Sequence, residues 1–313
     1  MGAGVLTRIA SLASVVFVAF VASPQTLVGE TPESGVTTKM DHPRLRAKSA
    51  IHSEPAGPAA PAQVRLANIS TRLAVGSGGS VLIAGFIITG SEPKRILLRA
   101  LGPLLPVKEN LADPTLELHN SSGLVAANDN WRDTQEDELQ ATTIPPGSDY
   151  ESAIVKVLNP GAYTAVLSGK GQTTGVGLVE VYDLDLLLDS RLANISTRGF
   201  VDQGDNVLIA GTIVFGGTPA NVLFRALGPS LPGVPNALQD TTLELFDGQG
   251  SAVASNDNWR DSQAAEIKAT TIPPSDPREA AILRQLTPGA YTAIVRGKNN
   301  STGVALVEAY HFN

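Results

Sequence analysis

Short apolar runs separated by turn residues follow one another from residue 65 onward, and this pattern predicts strands more often than helices. Residues 81–88 are almost continuously apolar, which is typical of a buried strand, whereas residues 115–118 alternate apolar and polar side chains. Gly and Pro recur between the runs and favour tight turns. Further strands are predicted at 95–101, 124–126, 163–167 and 176–182, with counterparts in the second half of the chain.

The whole pattern is written twice. The octapeptide RLANISTR at 65–72 returns unchanged at 191–198, and the hexapeptide NDNWRD at 128–133 returns at 256–261. The repeated unit is domain-sized, far longer than the period of about 20–50 residues that builds a solenoid. The predicted organisation is a signal peptide at 1–23, a disordered Pro/Ala/Ser-rich linker at 24–64, and two β-sandwich repeats at 65–189 and 190–313.

Each copy holds about seven or eight strand signals, a number that suits an antiparallel β-sandwich of jelly-roll type. One short helix is predicted in each copy, at 134–142 and 262–270, with Asp133 and Asp261 as the N-caps. Several leucines in the junction at 183–189 favour two packed domains over two separate ones. The predicted fold class is therefore all-β, with two tandem homologous sandwich domains.

The N-terminal stretch has the features of a secretory signal. Arg8 precedes an apolar run at 9–22, which is shorter than the roughly 20 residues that a membrane span needs, and small residues follow at Ala22 and Ser23. The next 40 or so residues are too polar to pack into a core. We expect a secreted or cell-surface protein without a membrane span after signal cleavage; an uncleaved anchor is the alternative.

Composition excludes several kinds of site. The 313 residues contain no cysteine, which removes disulfides and thiolate metal sites and favours bacterial export. The net charge is −7, and neither repeat carries a cluster of Lys and Arg, so nucleic acid is not an expected partner. The glycine-rich stretch at 76–80 is predicted to be a hairpin turn, because its counterpart at 202–206 is acidic and would repel phosphate.

Charged residues inside apolar strands predict ion pairs. A charge in a buried strand is costly unless a partner neutralises it. We therefore expect Arg99 to pair with Glu180, and Arg225 to pair with Glu308, in the service of the fold.

Oxygen-bearing side chains gather around both copies of NDNWRD, and oxygen ligands suit a hard cation such as Ca²⁺. The spacing is not that of an EF-hand loop. Asn and Asp also make turns and helix caps without any metal, so calcium and a purely structural loop both stay open. The candidate metal ligands are Asp113, Glu117, Asn128, Asp129, Asn130 and Asp133 in the first copy, and Asp240, Glu244, Asn256, Asp257, Asn258 and Asp261 in the second.

Trp131 and Trp259, one in each motif, are the candidate ligand-binding residues. Exposed indoles beside carboxylates could stack on a sugar ring. The alternative is a buried indole that closes one end of the domain and donates its N–H to a carbonyl.

Catalytic motifs are scarce. Neither Gly-x-Ser-x-Gly nor His-Glu-x-x-His occurs, and a glycosidase-like pair could be drawn only from Asp129 and Glu138. We predict a protein that is not an enzyme and has no certain cofactor. The expected function is non-catalytic binding or a structural role, through adhesion or extracellular assembly with a polymer or protein partner. The alternative is carbohydrate binding by the NDNW face, and a hydrolase is the remote one.

The motifs RLANISTR, LLRALGP, NDNWRD and LNPGAYTAVLSGK resemble an uncharacterised tandem repeat of bacterial secreted proteins. More distantly, TLEL followed by a turn, NDN and a later PGAYT is similar to bacterial pre-peptidase C-terminal domains. That resemblance implies β-sandwiches attached to secreted enzymes, some of which carry calcium. It places the calcium here at Asp129 and Asp257 and their neighbours, and it supplies no catalytic residue.

Overall fold

A computed structural model describes residues 64–78 and 80–312. The predicted signal peptide and all of the predicted linker except Val64 lie outside the described residues. Over the described residues the fold is all-β, as predicted: sixteen strands form one antiparallel sheet system, with two short α-helices and two single turns of 3-10 helix. Among the described residues, no helix has both the length and the apolar character needed to cross a membrane.

The two repeats contain the same series of elements. The first repeat comprises β1 (Arg65–Val75), β2 (Leu82–Thr89), β3 (Lys94–Leu101), β4 (Pro114–Asn120), β5 (Gly123–Asn128), α1 (Glu136–Ala141), β6 (Ser152–Leu158), β7 (Gly161–Gly169) and β8 (Gly175–Asp183). The second comprises β9 (Arg191–Val201), β10 (Leu208–Phe215), β11 (Ala220–Leu227), β12 (Thr241–Asp247), β13 (Ala252–Asn256), α2 (Ala264–Ala269), β14 (Ala280–Leu286), β15 (Gly289–Gly297) and β16 (Gly303–Phe312).

Strand pairing arranges these elements in two rows of eight. Row A runs β6-β3-β8-β1-β10-β15-β12-β13, and row B runs β14-β11-β16-β9-β2-β7-β4-β5. A single bridge between Leu66 and Leu192 joins the rows. Each row therefore contains strands of both repeats.

The first strand of each repeat makes the connection to the other repeat. β1 pairs with β8 of its own repeat and with β10 of the other, while β9 pairs with β16 and with β2. Equivalent residues meet at the centre: Leu66 faces Leu192, and the hydroxyls of Thr71 and Thr197 lie 2.8 Å apart. The two repeats are thus related by a pseudo-two-fold axis that passes between β1 and β9.

One hydrophobic cluster spans both repeats and both rows. Its members include the fully buried Leu66, Leu98, Leu116, Leu192 and Leu243. Burial of this apolar surface supplies the main driving force for folding. The junction leucines contribute little to the contact between repeats, because the side chains of Leu187 and Leu188 are 89% and 38% exposed.

Two local predictions are wrong. The stretch at 76–80 does turn, with the Gly76 N–H bonded to the Ser80 carbonyl at 2.7 Å, but it is not a hairpin because β1 and β2 lie in different rows. The helices begin later than predicted, and Gln135 and Gln263 replace Asp133 and Asp261 at the N-cap position. Strands β1 and β6 were also absent from the predicted set.

The pseudo-two-fold contact is complementary at one pair of positions, Leu73 and its equivalent Gly199. A Cβ added to Gly199 would lie 1.6 Å from Leu73 Cδ2. We predict that Gly199→Leu lowers the free energy of unfolding by about 1–3 kcal/mol or more, because overpacking forces the strands apart. Urea denaturation measures the loss. The exchanged double variant, Leu73→Gly with Gly199→Leu, should recover most of it, and a Gly199→Leu variant as stable as the wild type would contradict the proposed contact.

Candidate functional site

The two NDNWRD motifs lie beside the terminal strands β6 and β14. β6 pairs only with β3, and β14 pairs only with β11, so each has one open side. An open strand edge presents unpaired N–H and C=O groups that invite another chain to pair. The structure places the motif along this open side, between the end of β5 or β13 and the following helix.

Asn128 of the first motif and Gln135, two residues after the motif, bond through their side chains to the open side of β6. The Ala153 N–H donates to Asn128 Oδ1 at 2.9 Å. Gln135 makes two bonds to Val155: its Oε1 accepts from the N–H at 3.1 Å, and its Nε2 donates to the carbonyl at 2.9 Å. The backbone N–H of Trp131 donates to the carbonyl of Glu151, the residue just before β6, at 2.9 Å. These bonds replace the ones that a neighbouring strand would make.

The second motif makes the same set of bonds to β14. Asn256 accepts from the Ala281 N–H at 2.9 Å, and Gln263 brackets Leu283 with bonds of 3.1 and 2.9 Å. The backbone N–H of Trp259 donates to the Glu279 carbonyl at 2.9 Å. Since both copies form this arrangement, which we call the edge cap, the amides of the motif serve the backbone.

Both candidate ligand-binding tryptophans are buried. Trp131 and Trp259 are each 2% exposed, and their indole N–H groups donate to the carbonyls of Ser148 and Asp276 at 3.0 and 3.1 Å. The guanidinium of Arg132 lies 4.2 Å from the centroid of the Trp131 ring. The rings fill the space between strand and helix and leave no free face on which a sugar could stack.

A lysine neutralises the acidic cluster in each copy. Lys170 Nζ lies 2.7 Å from Asp129 Oδ2 and 3.8 Å from Asp113 Oδ2. Lys298 contacts Asp257 and Asp240 in the same way, at 2.7 and 3.7 Å. The hydrogen bond to Asp129 raises the pKa of Lys170 above its usual value. A cation therefore already bridges the two carboxylates, and it belongs to the protein.

The remaining candidate metal ligands are divided among other partners. Glu117 bonds to His119 at 2.8 Å, and Glu244 forms an ion pair with Arg296. In the loops, Asn130 and Asn258 donate to Asp133 and Asp261, respectively. Four of the twelve candidates, namely Glu244, Asn256, Asp257 and Asp261, do line one open depression of about 530 Å³.

The calcium site stays a prediction, and five side-chain oxygens around the two motifs bear on it. Oxygens of Asp113, Asp129 and Asn130 lack a hydrogen-bond partner, as do oxygens of Asp240 and Asp257. These three oxygens in one copy and two in the other would supply only part of a Ca²⁺ shell, which takes roughly six to eight oxygens including backbone carbonyls and waters. Within residues 64–78 and 80–312, no group of three or more His, Cys, Asp or Glu side chains is arranged to hold a metal.

The two predicted buried ion pairs are confirmed. Arg99 Nε donates to Glu180 at 2.9 Å, and Arg225 Nε donates to Glu308 at 2.9 Å. Each glutamate also accepts a bond from a tyrosine two residues later, Tyr182 or Tyr310. Burial raises the pKa of Tyr310 to about 12, so its hydroxyl stays a donor at neutral pH.

A third buried pair occurs in the first repeat alone and was not predicted. Lys94 Nζ lies 2.8 Å from Asp183 Oδ1, and both side chains are 0% exposed. Burial raises the pKa of Asp183, although the bond to Lys94 acts in the opposite direction. The equivalent residues of the second repeat are Ala220 and His311. Lys94 at the start of an apolar strand was the available sequence signal.

The two edge caps are far apart in the strand order. β6 ends row A on the side of the first repeat, and β14 ends row B on the side of the second. The motifs therefore do not combine into one site. The predicted site residues do not include Gln135, Gln263, Lys170 or Lys298. Each of these residues occurs at the same place in both copies, which was the usable sequence signal.

No family model matches the sequence, and no curated protein sequence matches it. Among solved structures, a chain of the Sulfolobus turreted icosahedral virus is 10% identical with a TM-score of 0.23, covering 79% of this chain and 90% of that one. A DUF4785 family protein from Legionella pneumophila is 9% identical with a TM-score of 0.23, covering 83% and 86%. At these TM-scores the likenesses carry no argument about fold or function.

Removal of the edge cap should destabilise the protein and expose a strand edge. We predict that Asn256→Ala lowers the free energy of unfolding by about 1–3 kcal/mol, because the buried Ala281 N–H loses its acceptor. Gln263→Ala should act similarly and increase light scattering on concentration. Gln285→Ala is the matched control, since Gln285 is an exposed residue of the same strand. Equal stability and equal scattering of all three variants would contradict the cap.

Loss of Lys94 should produce a pH-dependent defect. Lys94→Met leaves the Asp183 carboxylate buried without its partner, and we expect a loss of about 3–5 kcal/mol at neutral pH. Burial raises the pKa of Asp183 in the folded state above its unfolded value. The folded variant therefore holds the proton more tightly, and the defect should shrink as the pH falls towards about 4. Urea denaturation of the variant and the wild type at both pH values measures this difference.

The double variant Lys94→Ala with Asp183→His copies the residues of the second repeat and serves as the control. It should be more stable at neutral pH than Lys94→Met, because no unpaired carboxylate stays buried. A defect of Lys94→Met that is the same at both pH values would rule out this account of Asp183.

Proposed function

We propose that this chain is a non-catalytic binding and structural module of the bacterial cell exterior, which acts in adhesion or extracellular assembly. Its architecture is proposed to be two tandem β-sandwich units of jelly-roll type, with one short helix each. The common hydrophobic cluster, to which both rows contribute, supports this architecture. Strands β1 and β9 each pair with strands of both repeats, and this pairing links the two units.

The observation that carries the proposal is the identical use of the polar motif in both copies. Asn128, Gln135 and their equivalents bond to backbone groups of terminal strands. Such protection of strand edges is typical of proteins that must stay folded and unaggregated. The use of the motif in this way in both repeats favours a structural role over a catalytic one.

The glycosidase-like carboxylates are each held by a separate cation. Asp129 bonds to Lys170 at 2.7 Å, and Glu138 bonds to Arg95 at 3.0 Å. Each carboxylate is thus engaged by its own cation, and no contact joins the two carboxylates into a pair. These contacts support a non-catalytic role over a hydrolase. The buried indoles likewise give no support to sugar binding by the NDNW face.

The exterior location rests on the sequence. Arg8 and the apolar run at 9–22 have the form of a secretory signal, and the absence of cysteine suits bacterial export without disulfides. Extracellular polymers or proteins are the proposed partners.

Localisation and surface binding test the proposal together. Cells that produce the full chain are fractionated, and the N-terminus of the recovered protein is sequenced. We expect the protein outside the cytoplasm, with an N-terminus near Pro24, directly after the predicted signal peptide. The purified protein should also bind washed cells of the producing bacterium saturably and be displaced by unlabelled protein. Cytoplasmic protein that retains Met1, or binding that neither saturates nor competes, would overturn the proposal.

A further inference from the structure

A large cleft lies where the two repeats meet. It has a volume of about 1010 Å³ and takes its walls from both repeats. Its apolar wall includes Ile83, Val304, Pro235 and Phe200, and Phe200 is 42% exposed. Small-molecule sites commonly have this size, a mostly apolar lining with few polar groups, and a position between domains.

Arg198 is the one cation that lines this cleft. It lies on β9 opposite Ile83 of β2 and Leu306 of β16, on the same face of the strand as Phe200. Its side chain is exposed, and it forms no hydrogen bond or ion pair with any residue of 64–78 or 80–312. An arginine beside apolar walls interacts more strongly with an anion than one surrounded by water.

The equivalent residue of the first repeat, Arg72, behaves similarly in one respect. It is 1% exposed, and neither Nη1 nor Nη2 has a hydrogen-bond partner in the described part of the chain. Burial lowers its pKa to about 10. By contrast, the strand arginines Arg99 and Arg225 are both paired with glutamates. The octapeptide thus keeps, in both copies, an arginine without a hydrogen-bonded carboxylate, although the negative charge of Asp205 acts on Arg72.

We propose that the cleft between the repeats binds an organic carboxylate, with Arg198 holding the carboxylate and Phe200 contacting the apolar body of the ligand. A guanidinium forms two parallel bonds to a carboxylate, which gives both strength and orientation. Glu109, on another wall, is the one anion that lines the cleft. It opposes a second negative charge and limits the site to ligands that reach Arg198. This inference gives the proposed binding module a ligand class.

Calorimetric titration of the full chain tests the site with 3-phenylpropionate as the probe and its uncharged amide as the control ligand. We expect saturable binding of the carboxylate and at least about tenfold weaker binding of the amide, since one charged hydrogen-bonding group is lost. Arg198→Gln should weaken carboxylate binding at least about tenfold. Phe200→Ala should weaken both ligands; alanine already stands at the equivalent position, Ala74, in the first repeat.

Two further variants separate charge from fold. Glu109→Gln should tighten carboxylate binding and leave amide binding unchanged, because it removes a repelling charge. Arg284→Gln, on the exposed face of β14, should change neither. Thermal melting verifies that each variant is folded. The inference is overturned if the wild type does not bind the carboxylate saturably, or if folded Arg198→Gln binds it as tightly as the wild type. Neither result bears on localisation or cell binding, so the proposed function is judged separately.

Discussion

The exchange of first strands between the repeats is the constraint on which the rest of this structure depends. β1 completes the pairing of β10, and β9 completes the pairing of β2, so each repeat closes the open edge of the other. At the centre, Leu66 and Thr71 meet their own equivalents, Leu192 and Thr197. Both of these positions belong to the octapeptide that is identical in the two copies. A substitution at either position in one copy therefore changes a contact between two identical residues.

The exchange also determines where polar motifs are needed. Once the inner edges pair with each other, the open edges are confined to the ends of the rows, at β6 and β13 and at β14 and β5. The NDNWRD motif caps β6 and β14, and its amides bond to strand backbone. The acidic residues nearby are neutralised by Lys170 and Lys298. The amides of the most conspicuous polar stretch therefore bond to the strand backbone, whereas the proposed ligand site lies at the junction of the repeats.

Sequence patterns predicted the features that follow from local physics. Apolar alternation located most strands, and the cost of a buried charge identified the Arg99–Glu180 and Arg225–Glu308 pairs before their geometry was known. The same rules do not predict which row a strand joins. Strand β1, for example, pairs with β10 of the other repeat, and no local sequence signal specifies that partner. For the oxygens around Asp129, the sequence left calcium and a structural loop open. It did not indicate Lys170, which contacts Asp129 Oδ2 and lies some 40 residues further along the chain, close only after β7 has paired with β4.

Because the two repeats belong to one chain, equivalent positions can carry different residues, which a symmetric homodimer does not allow. On an exact two-fold axis each residue faces a copy of itself, so a bulky side chain such as Leu73 would meet a second leucine; here it meets Gly199. Equivalent positions around the cleft also carry different residues: Ala74 corresponds to Phe200, and Glu109 corresponds to Asn236. One arginine of the octapeptide is enclosed while its equivalent faces the open cleft. At the axis, the unequal pair Leu73 and Gly199 allows the two repeats to pack closely. Around the cleft, the second repeat supplies the cation Arg198 and the ring of Phe200, and the first repeat supplies the anion Glu109.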